Sequence, residues 1–212
     1  MCSPVKDIRS EYKGAIISVC GPPHSGKSVF LAELYTQLLK LEPTRVFLQR
    51  ACPDGEGMWS TESDPDVAAR IRRKGQFSPE FITHTLESIK NLGRYFPLVL
   101  LDLGGKRSPE NAEIMRHSTH ALILSSLPEE ITLWQEFAIR EGNQILGVFH
   151  SRQLILPDGS PDLSGQSELD LSGFPSKGTL MNLTRSGPRE PYSEAVTQLA
   201  AKLVEIHIYR RT

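Results

Sequence analysis

Residues Gly21 to Ser28, GPPHSGKS, have the glycine, lysine and hydroxyl spacing of a loop that binds the phosphates of a nucleotide. The glycines of such a loop let the backbone curl around an anion, and the dipole of the helix behind it adds to the attraction. The loop follows an apolar stretch and precedes a segment of helical period, which is the context that this chemistry requires. The residues expected to bind the nucleotide are Gly21, His24, Ser25, Gly26, Lys27, Ser28 and Val29.

Two prolines, Pro22 and Pro23, occupy the first part of this loop and have no amide hydrogen to donate to a phosphate oxygen. The later amides, from His24 to Ser28, are sufficient to build the concave anion site. The prolines then stiffen the start of the loop, so they are compatible with phosphate binding.

Lys27, Ser28 and Asp102 are the residues expected to hold the reacting end of the nucleotide. The lysine is placed to meet the β and γ phosphates, and the serine hydroxyl is placed to bind Mg²⁺. The buried run PLVLLD delivers Asp102 to the end of a neighbouring strand, where a carboxylate completes a magnesium site. ATP and Mg²⁺ are the expected cofactors, because the chain reads VFHSRQ where N-K-x-D would recognise guanine.

The motif DLGG, which begins at Asp102, has the D-x-x-G spacing that lets a glycine amide contact a γ-phosphate. Gly105 is therefore a candidate for distinguishing a triphosphate from a diphosphate. Arg107 follows Lys106 and is a candidate catalytic cation, either near the transferred phosphoryl group or at a subunit boundary. A solvated basic turn explains Lys106 and Arg107 equally well.

Acidic residues come directly after the second predicted strand. Asp54 and Glu56 lie close to the point where a doubly wound sheet presents its ligands. Glu56 is a candidate for orienting the attacking water or for accepting a proton from a second substrate. An acidic turn shaped by glycines is an equally good explanation. Trp59 and the basic run 70–74 are more ordinarily explained as a loop cover and a solvated helix face.

Short apolar stretches alternate with segments of helical period, which predicts an α/β fold: a P-loop NTPase three-layer sandwich with a mostly parallel central sheet. Helices are expected to start where a small polar or acidic residue precedes proline, at residues 64, 78 and 108. The predicted strands are Ala15–Cys20, Arg45–Gln49, Leu98–Leu103, Ala121–Ser125, Ile145–His150 and Thr179–Thr184.

The length of 212 residues suits one α/β domain, so residues 1–212 are treated as a single P-loop NTPase domain. Residues 51–78 form an insertion after the second strand, and the Pro-, Gly- and Ser-rich stretch 156–177 is expected to be a long surface loop. A formal net charge of −1 and apolar runs far shorter than a membrane span indicate no membrane partner. Three widely spaced cysteines and an amino terminus without a secretory pattern indicate a cytoplasmic protein with reduced thiols.

Four stretches of the chain together resemble one known family. They are GPPHSGKS, LQRACPDGEGMWSTESDP, LVLLDLGGKRSPENAEIMR and THALILSS. They resemble the P-loop ATPase domain, often called AAA-type, that is associated with or fused to the ring nuclease of type III CRISPR systems. That nuclease cleaves cyclic oligoadenylate second messengers.

The resemblance implies ATP and Mg²⁺ bound at Gly21, Gly26, Lys27, Ser28 and Asp102, and a working link to the ring nuclease. Only about 14 residues precede the first strand, so we expect the nuclease to act in trans or to belong to a longer, fused protein. Contact with cyclic oligoadenylate and assembly into a homo-oligomer are further expectations.

Three functions remain open at this point. The first is an ATPase of antiviral signalling that couples Mg-ATP binding or hydrolysis to assembly with, or regulation of, the ring nuclease. The second is a small-molecule or nucleotide kinase that uses residues 51–78 as acceptor site and lid. The third is a nucleotide-gated scaffold with negligible turnover.

Overall fold

The computed structural model describes residues 8–53, 77–160, 162–185 and 187–210. The strands are β1 (Ala15–Cys20), β2 (Val46–Arg50), β3 (Leu98–Asp102), β4 (His120–Ser125), β5 (Gln144–Arg152), β6 (Glu168–Asp170) and β7 (Ser176–Met181). The helices are α1 (Lys27–Leu41), α2 (Pro79–Tyr95), α3 (Pro109–Met115), α4 (Pro128–Arg140) and α5 (Glu190–Val204). A 3₁₀ turn, Ile8–Glu11, precedes β1, and a π-helical turn, Glu205–Tyr209, follows α5.

The described strands form one seven-stranded sheet in the order β2-β3-β1-β4-β5-β7-β6. Each neighbouring pair is parallel except β6 and β7, which are antiparallel. Parallel neighbours need crossover connections, and their carboxyl ends meet at the same edge of the sheet. The predicted α/β fold with a mostly parallel sheet is confirmed.

Helices cover both faces of the sheet. Successive side chains of a strand point to opposite faces, so Ile17 packs in one buried cluster with Phe30 of α1 and Leu199 of α5. Ile16 packs in a second cluster with Trp134 of α4 and with residues of α2 and α3. The predicted three-layer sandwich is confirmed. None of the described helices is long and apolar enough to cross a membrane.

Two of the predicted helix starts are confirmed by their caps. The Ser78 side chain accepts a hydrogen bond from the Phe81 amide at the start of α2, and Ser108 accepts one from Asn111 at the start of α3. A serine at this position satisfies an amide that has no partner within the helix. The predicted start at residue 64 lies outside the described residues.

The stretch 156–177 differs from the surface loop expected there. Strand β6 lies inside it and pairs antiparallel with β7, and β7 begins at Ser176 instead of Thr179. The sequence of β6 is ELD, and three residues are too few to show hydrophobic alternation. The strand exists because β7 offers it a partner, and that pairing is not visible in the local sequence.

Candidate functional site

A pocket of about 410 Å³ lies at the carboxyl ends of β1, β2 and β3. In open α/β sheets this edge is where ligands bind. The pocket brings together most of the residues that the sequence indicates for nucleotide binding. These are His24, Ser25, Gly26, Lys27, Ser28 and Val29, with Asp102 and Gly105 opposite them.

The loop between β1 and α1 contains left-handed backbone on either side of Ser25. Gly26 has a φ of 84°, and His24 has a φ of 62° although it carries a side chain. A non-glycine residue in this region costs about 1–3 kcal/mol, and such residues cluster at functional sites. When right-handed and left-handed backbone conformations alternate, successive amides point toward the same side. This is the geometry of an anion-binding nest.

Helix α1 begins inside this loop and has no side-chain cap. Its N-cap is Gly26, and its first turn contains no acidic residue. The first four amides of a helix have no partner within the helix, and together with the helix dipole they attract an anion. The start of α1 therefore fits a phosphate group, whereas Ser78 and Ser108 already occupy the corresponding amides of α2 and α3.

Lys27 is the first residue of α1 and is 9% exposed. Its Nζ donates hydrogen bonds to the carbonyl oxygens of Gly21, at 2.9 Å, and of Pro22, at 2.8 Å. The loop backbone thus folds around the ammonium group and fixes its position. Pro22, which has no amide hydrogen, contributes through its carbonyl group instead.

Gly21 is the first residue of the loop and follows β1 directly. Its φ is 148°, and a Cβ atom at this position would lie 1.9 Å from the carbonyl oxygen of Leu124 in β4. Only glycine permits this close approach of the loop to the sheet. Gly21 thus packs closely against β4 and its carbonyl oxygen accepts a hydrogen bond from Lys27; its contact with a nucleotide stays a prediction.

Ser28 and Asp102 both line the pocket, from the start of α1 and the end of β3. Among the described residues, no three His, Cys, Asp or Glu side chains form a metal-binding group. Mg²⁺ in nucleotide sites needs no such group, because one or two protein oxygens combine with waters and substrate phosphates. The hydroxyl and carboxylate present here fit that donor set.

Ser25 supplies a second sign that the pocket is built for a polar ligand. Its Oγ is buried and has no hydrogen-bond partner among the described residues, and the residue is 2% exposed. A buried hydroxyl without a partner is costly, so such groups call for an explanation. A polar ligand atom in this pocket would provide the missing partner.

The D-x-x-G segment lies directly against the phosphate loop. A Cβ atom at Gly105 would be 2.7 Å from the backbone nitrogen of Pro23. Asn111 holds the segment from behind, because its Nδ2 donates to the carbonyl oxygens of Gly104, at 3.2 Å, and Lys106, at 2.7 Å. Gly105 therefore makes a tight backbone contact with the phosphate loop, and its predicted contact with a γ-phosphate stays a prediction.

Arg107 lies outside the pocket lining. Its guanidinium group is ion-paired with Glu130 of α4 and lies 5.6 Å from the ring centroid of Trp134. Arg107 therefore lies against the flank of α4, and its catalytic role at a subunit boundary stays a prediction. Glu130 is 23 residues further along the chain, so the local sequence around Arg107 cannot reveal the ion pair. Glu56, the remaining predicted catalytic residue, lies outside the described residues, as does Asp54.

Sequence reasoning missed four residues of the pocket wall: Arg50, Cys52, Leu183 and Arg185. Arg50 is the last residue of β2, and a charged residue at the carboxyl end of a parallel strand was an available signal. Leu183 would lie 2.8 Å from a Cβ atom on Gly26. Leu183 and Arg185 follow β7, and only the order of strands in the sheet brings that segment to the loop.

Two cysteines lie near the loop in different environments. Burial raises the pKa of the Cys20 thiol to about 12, and the nearby Lys27 ammonium partly opposes the effect. Cys20 is fully buried at the end of β1, so its thiol stays protonated and unreactive. Cys52 is partly exposed in the pocket wall, and neither residue forms a disulfide.

A parallel sheet, a phosphate loop between β1 and α1, and an aspartate at the end of β3 together define the P-loop NTPase fold. No protein-family model and no curated protein matches the sequence. The cell division ATPase MinD of Pyrococcus furiosus is similar in structure, with a TM-score of 0.57 and 17% identity over 91% of this chain and 99% of MinD. ParA of pNOB8, in a structure bound to nonspecific DNA, has a TM-score of 0.52 and 16% identity over 93% of this chain and 98% of ParA. At these identities the similarity shows the fold, which is that of a P-loop NTPase.

Proposed function

We propose that this protein binds ATP together with Mg²⁺ and hydrolyses it. The observation that carries the proposal is one pocket that joins the uncapped start of α1, the ammonium group of Lys27 and the carboxylate of Asp102. The similarity to MinD, which is an ATPase, supports the same general activity.

The triphosphate would lie across the nest and the first turn of α1. Lys27 would hold its ammonium group within reach, because it donates to two carbonyl oxygens of the same loop. Exchange of these neutral acceptors for phosphate oxygens gives charge-assisted hydrogen bonds, which contribute about 1.5–3 kcal/mol each. Lys27 therefore needs no large rearrangement to bind the phosphates.

Ser28 and Asp102 would hold the magnesium ion. When bound, the ion bridges phosphate oxygens and neutralises charge that develops during phosphoryl transfer. Gly105, which packs against Pro23 of the phosphate loop, would donate its amide to the terminal phosphate. Glu56 remains the candidate for orienting the attacking water, and it lies outside the described residues.

Release of inorganic phosphate from ATP in the presence of Mg²⁺ tests this proposal. Lys27→Ala should abolish release, because the variant lacks the ammonium group that binds the phosphates. Lys40→Ala is the matched control: this lysine lies in the last turn of the same helix, and its variant should remain active. Equal phosphate release by the wild type and Lys27→Ala would refute the site.

A kinase is the second candidate, and one observation favours it. The pocket extends beyond the phosphate loop to Arg50 and Cys52 at the end of β2, which gives room beside the nucleotide for an acceptor. Radiolabelled ATP with AMP, nucleosides or short oligoadenylates distinguishes the two activities. Label on an acceptor instead of in inorganic phosphate would identify a kinase.

We further propose a ring nuclease as partner, in trans or fused, on the basis of the sequence resemblance. Cyclic oligoadenylate as a ligand, a homo-oligomeric state and a cytoplasmic location are parts of the same proposal. Mass determination in solution, with and without ATP and with and without cyclic tetra-adenylate, tests the assembly. A mass that responds to neither compound would count against the partner and against a nucleotide-gated scaffold.

A further inference from the structure

Arg50 occupies a row that crosses three strands at the functional edge of the sheet. It is in register with Asp102 of β3, and Asp102 is in register with Val19 of β1. The same row therefore runs from the strand that feeds the phosphate loop, through the predicted magnesium ligand, to Arg50. Arg50 lies in the pocket wall with the loop residues.

One nitrogen of the Arg50 guanidinium group stands out among the described residues. Its Nη1 is buried and, in the part of the chain that the structure describes, has no hydrogen-bond partner. Burying an unpaired donor of a charged group is costly. An anionic ligand in this pocket would give that nitrogen a partner.

The backbone around Arg50 is fixed by both neighbouring residues. The Ala51 amide donates to the Asp102 carbonyl oxygen at 3.0 Å, and Ala51 is fully buried. The Gln49 side chain donates to the Arg50 carbonyl oxygen at 3.0 Å. The guanidinium group is thus carried by a rigid strand end, which reduces the entropy lost when it binds a ligand.

We propose that Arg50 binds the terminal phosphate of the nucleotide, so that the pocket distinguishes ATP from ADP. The assignment rests on the proposed function and deepens it. Neighbouring strands are about 4.8 Å apart, so the Arg50 backbone lies about 10 Å across the sheet from β1. A phosphate chain that starts on the loop after β1 and extends over Asp102 brings its last phosphate toward β2. The planar guanidinium group suits phosphate oxygens, to which it can donate two parallel hydrogen bonds.

Binding of ADP and of a non-hydrolysable ATP analogue, both with Mg²⁺, tests the proposal. In Arg50→Gln, affinity for the analogue should fall about tenfold or more through loss of a charge-assisted hydrogen bond, and affinity for ADP should remain that of the wild type. Arg50→Lys should keep part of the preference, because it retains the charge without the planar fork.

Arg45→Gln is the matched control. Arg45 precedes the other end of β2 and lies 3.9 Å from Glu42, so its loss should leave both affinities unchanged. Equal losses for ADP and the analogue in Arg50→Gln, or no loss for either, would overturn the assignment. Loss of label transfer to an acceptor with an unchanged preference would also overturn it, since Arg50 would then bind a second substrate. No binding of nucleotide by the wild type would instead refute the proposed function itself.

Discussion

Arg50 and Arg107 lie on two different regions of the molecule, the pocket edge of the sheet and the flank of α4. The sequence makes Arg107 a candidate catalytic cation because it follows the D-x-x-G motif, and a solvated basic turn explains it equally well. In the structure Arg107 is paired with Glu130 and stacked near Trp134, whereas Arg50 lines the pocket with a buried Nη1 that has no partner among the described residues. A cation with a carboxylate partner contributes to packing, whereas a buried cationic nitrogen without a partner among the described residues is available to a ligand.

Other arginines on the flanks follow the same distinction. Arg116 is paired with Glu141 at 2.8 Å, and Arg189 with Glu33 at 3.3 Å. Glu33 also accepts hydrogen bonds from the side chains of Gln37 and Ser193. These pairs connect helices and surround carboxylates that are nearly buried, so their role is structural. We therefore expect variants at the pocket edge to change nucleotide binding and variants at the paired flank arginines to change stability.

Asp102→Asn should have the largest effect. The change removes a charged oxygen from the proposed magnesium site, and even the outer partners of metal ligands typically matter by about 10- to 100-fold. We expect hydrolysis to fall by about 100-fold or more on the same scale, with a raised requirement for Mg²⁺. Measurement of rate against Mg²⁺ concentration checks this.

Asp158→Asn is its control, because Asp158 lies in an exposed turn where it accepts hydrogen bonds from Ser160. That variant should hydrolyse ATP at the wild-type rate. An Asp102→Asn variant with an unchanged Mg²⁺ dependence would contradict the metal site at the pocket edge.

Gly105→Ala should have the next largest effect. The added Cβ atom would lie 2.7 Å from the Pro23 nitrogen and must push two backbones apart. Overpacking of this kind costs about 1–3 kcal/mol, and here it should lower both the melting temperature and the affinity for ATP. Gly173→Ala is the control, because a Cβ atom there meets nothing within 4 Å. If the two variants behave alike, the contact between the D-x-x-G segment and the loop is not as tight as described.

Arg107→Gln should produce the opposite pattern to Arg50→Gln. Loss of the partly exposed ion pair with Glu130 and of the contact with Trp134 should reduce the free energy of unfolding by about 1 kcal/mol. Hydrolysis per folded molecule should stay at the wild-type level. Chemical denaturation and phosphate release, measured on the same samples, decide the point. A strong loss of hydrolysis with unchanged stability would instead support a catalytic role for Arg107.

The fold was predictable because its signals are local. Strand β1 is buried throughout and apolar except at Ser18, and its predicted bounds, Ala15–Cys20, are those of the structure. The caps at Ser78 and Ser108 depend on the residue itself and on the proline beside it. The short strand β6 was not predictable, because it depends on pairing with β7 and not on its own residues.

The residues of the site also differ in how far the sequence predicts them. The loop and Asp102 were predictable, because the loop motif directly follows the apolar strand β1 and Asp102 ends the apolar strand β3. Leu183 and Arg185 reach the loop only through the strand order of the sheet. The pairing of Arg107 with Glu130, 23 positions away, is likewise invisible in the local sequence. Arg50 is the last residue of β2 and lies one residue beyond the predicted strand Arg45–Gln49, so the strand prediction does not place it at the pocket edge.

Alkylation of Cys52 should give the smallest effect and the finest test of the pocket edge. Cys52 lies two residues after Arg50 in the pocket wall and is partly exposed, whereas Cys20 is fully buried with a pKa raised to about 12. In a Cys2→Ser background, iodoacetamide near pH 8 should modify Cys52 and leave Cys20 intact until the protein unfolds, because only a thiolate reacts. The ATP analogue should slow the reaction of Cys52 more than ADP does, and in Arg50→Gln the two nucleotides should protect equally. Mass spectrometry of the modified peptides measures each rate. If Cys52 reacts at one rate with and without nucleotide, the ligand does not extend to the end of β2, and the contrast between Arg50 and Arg107 loses its functional meaning.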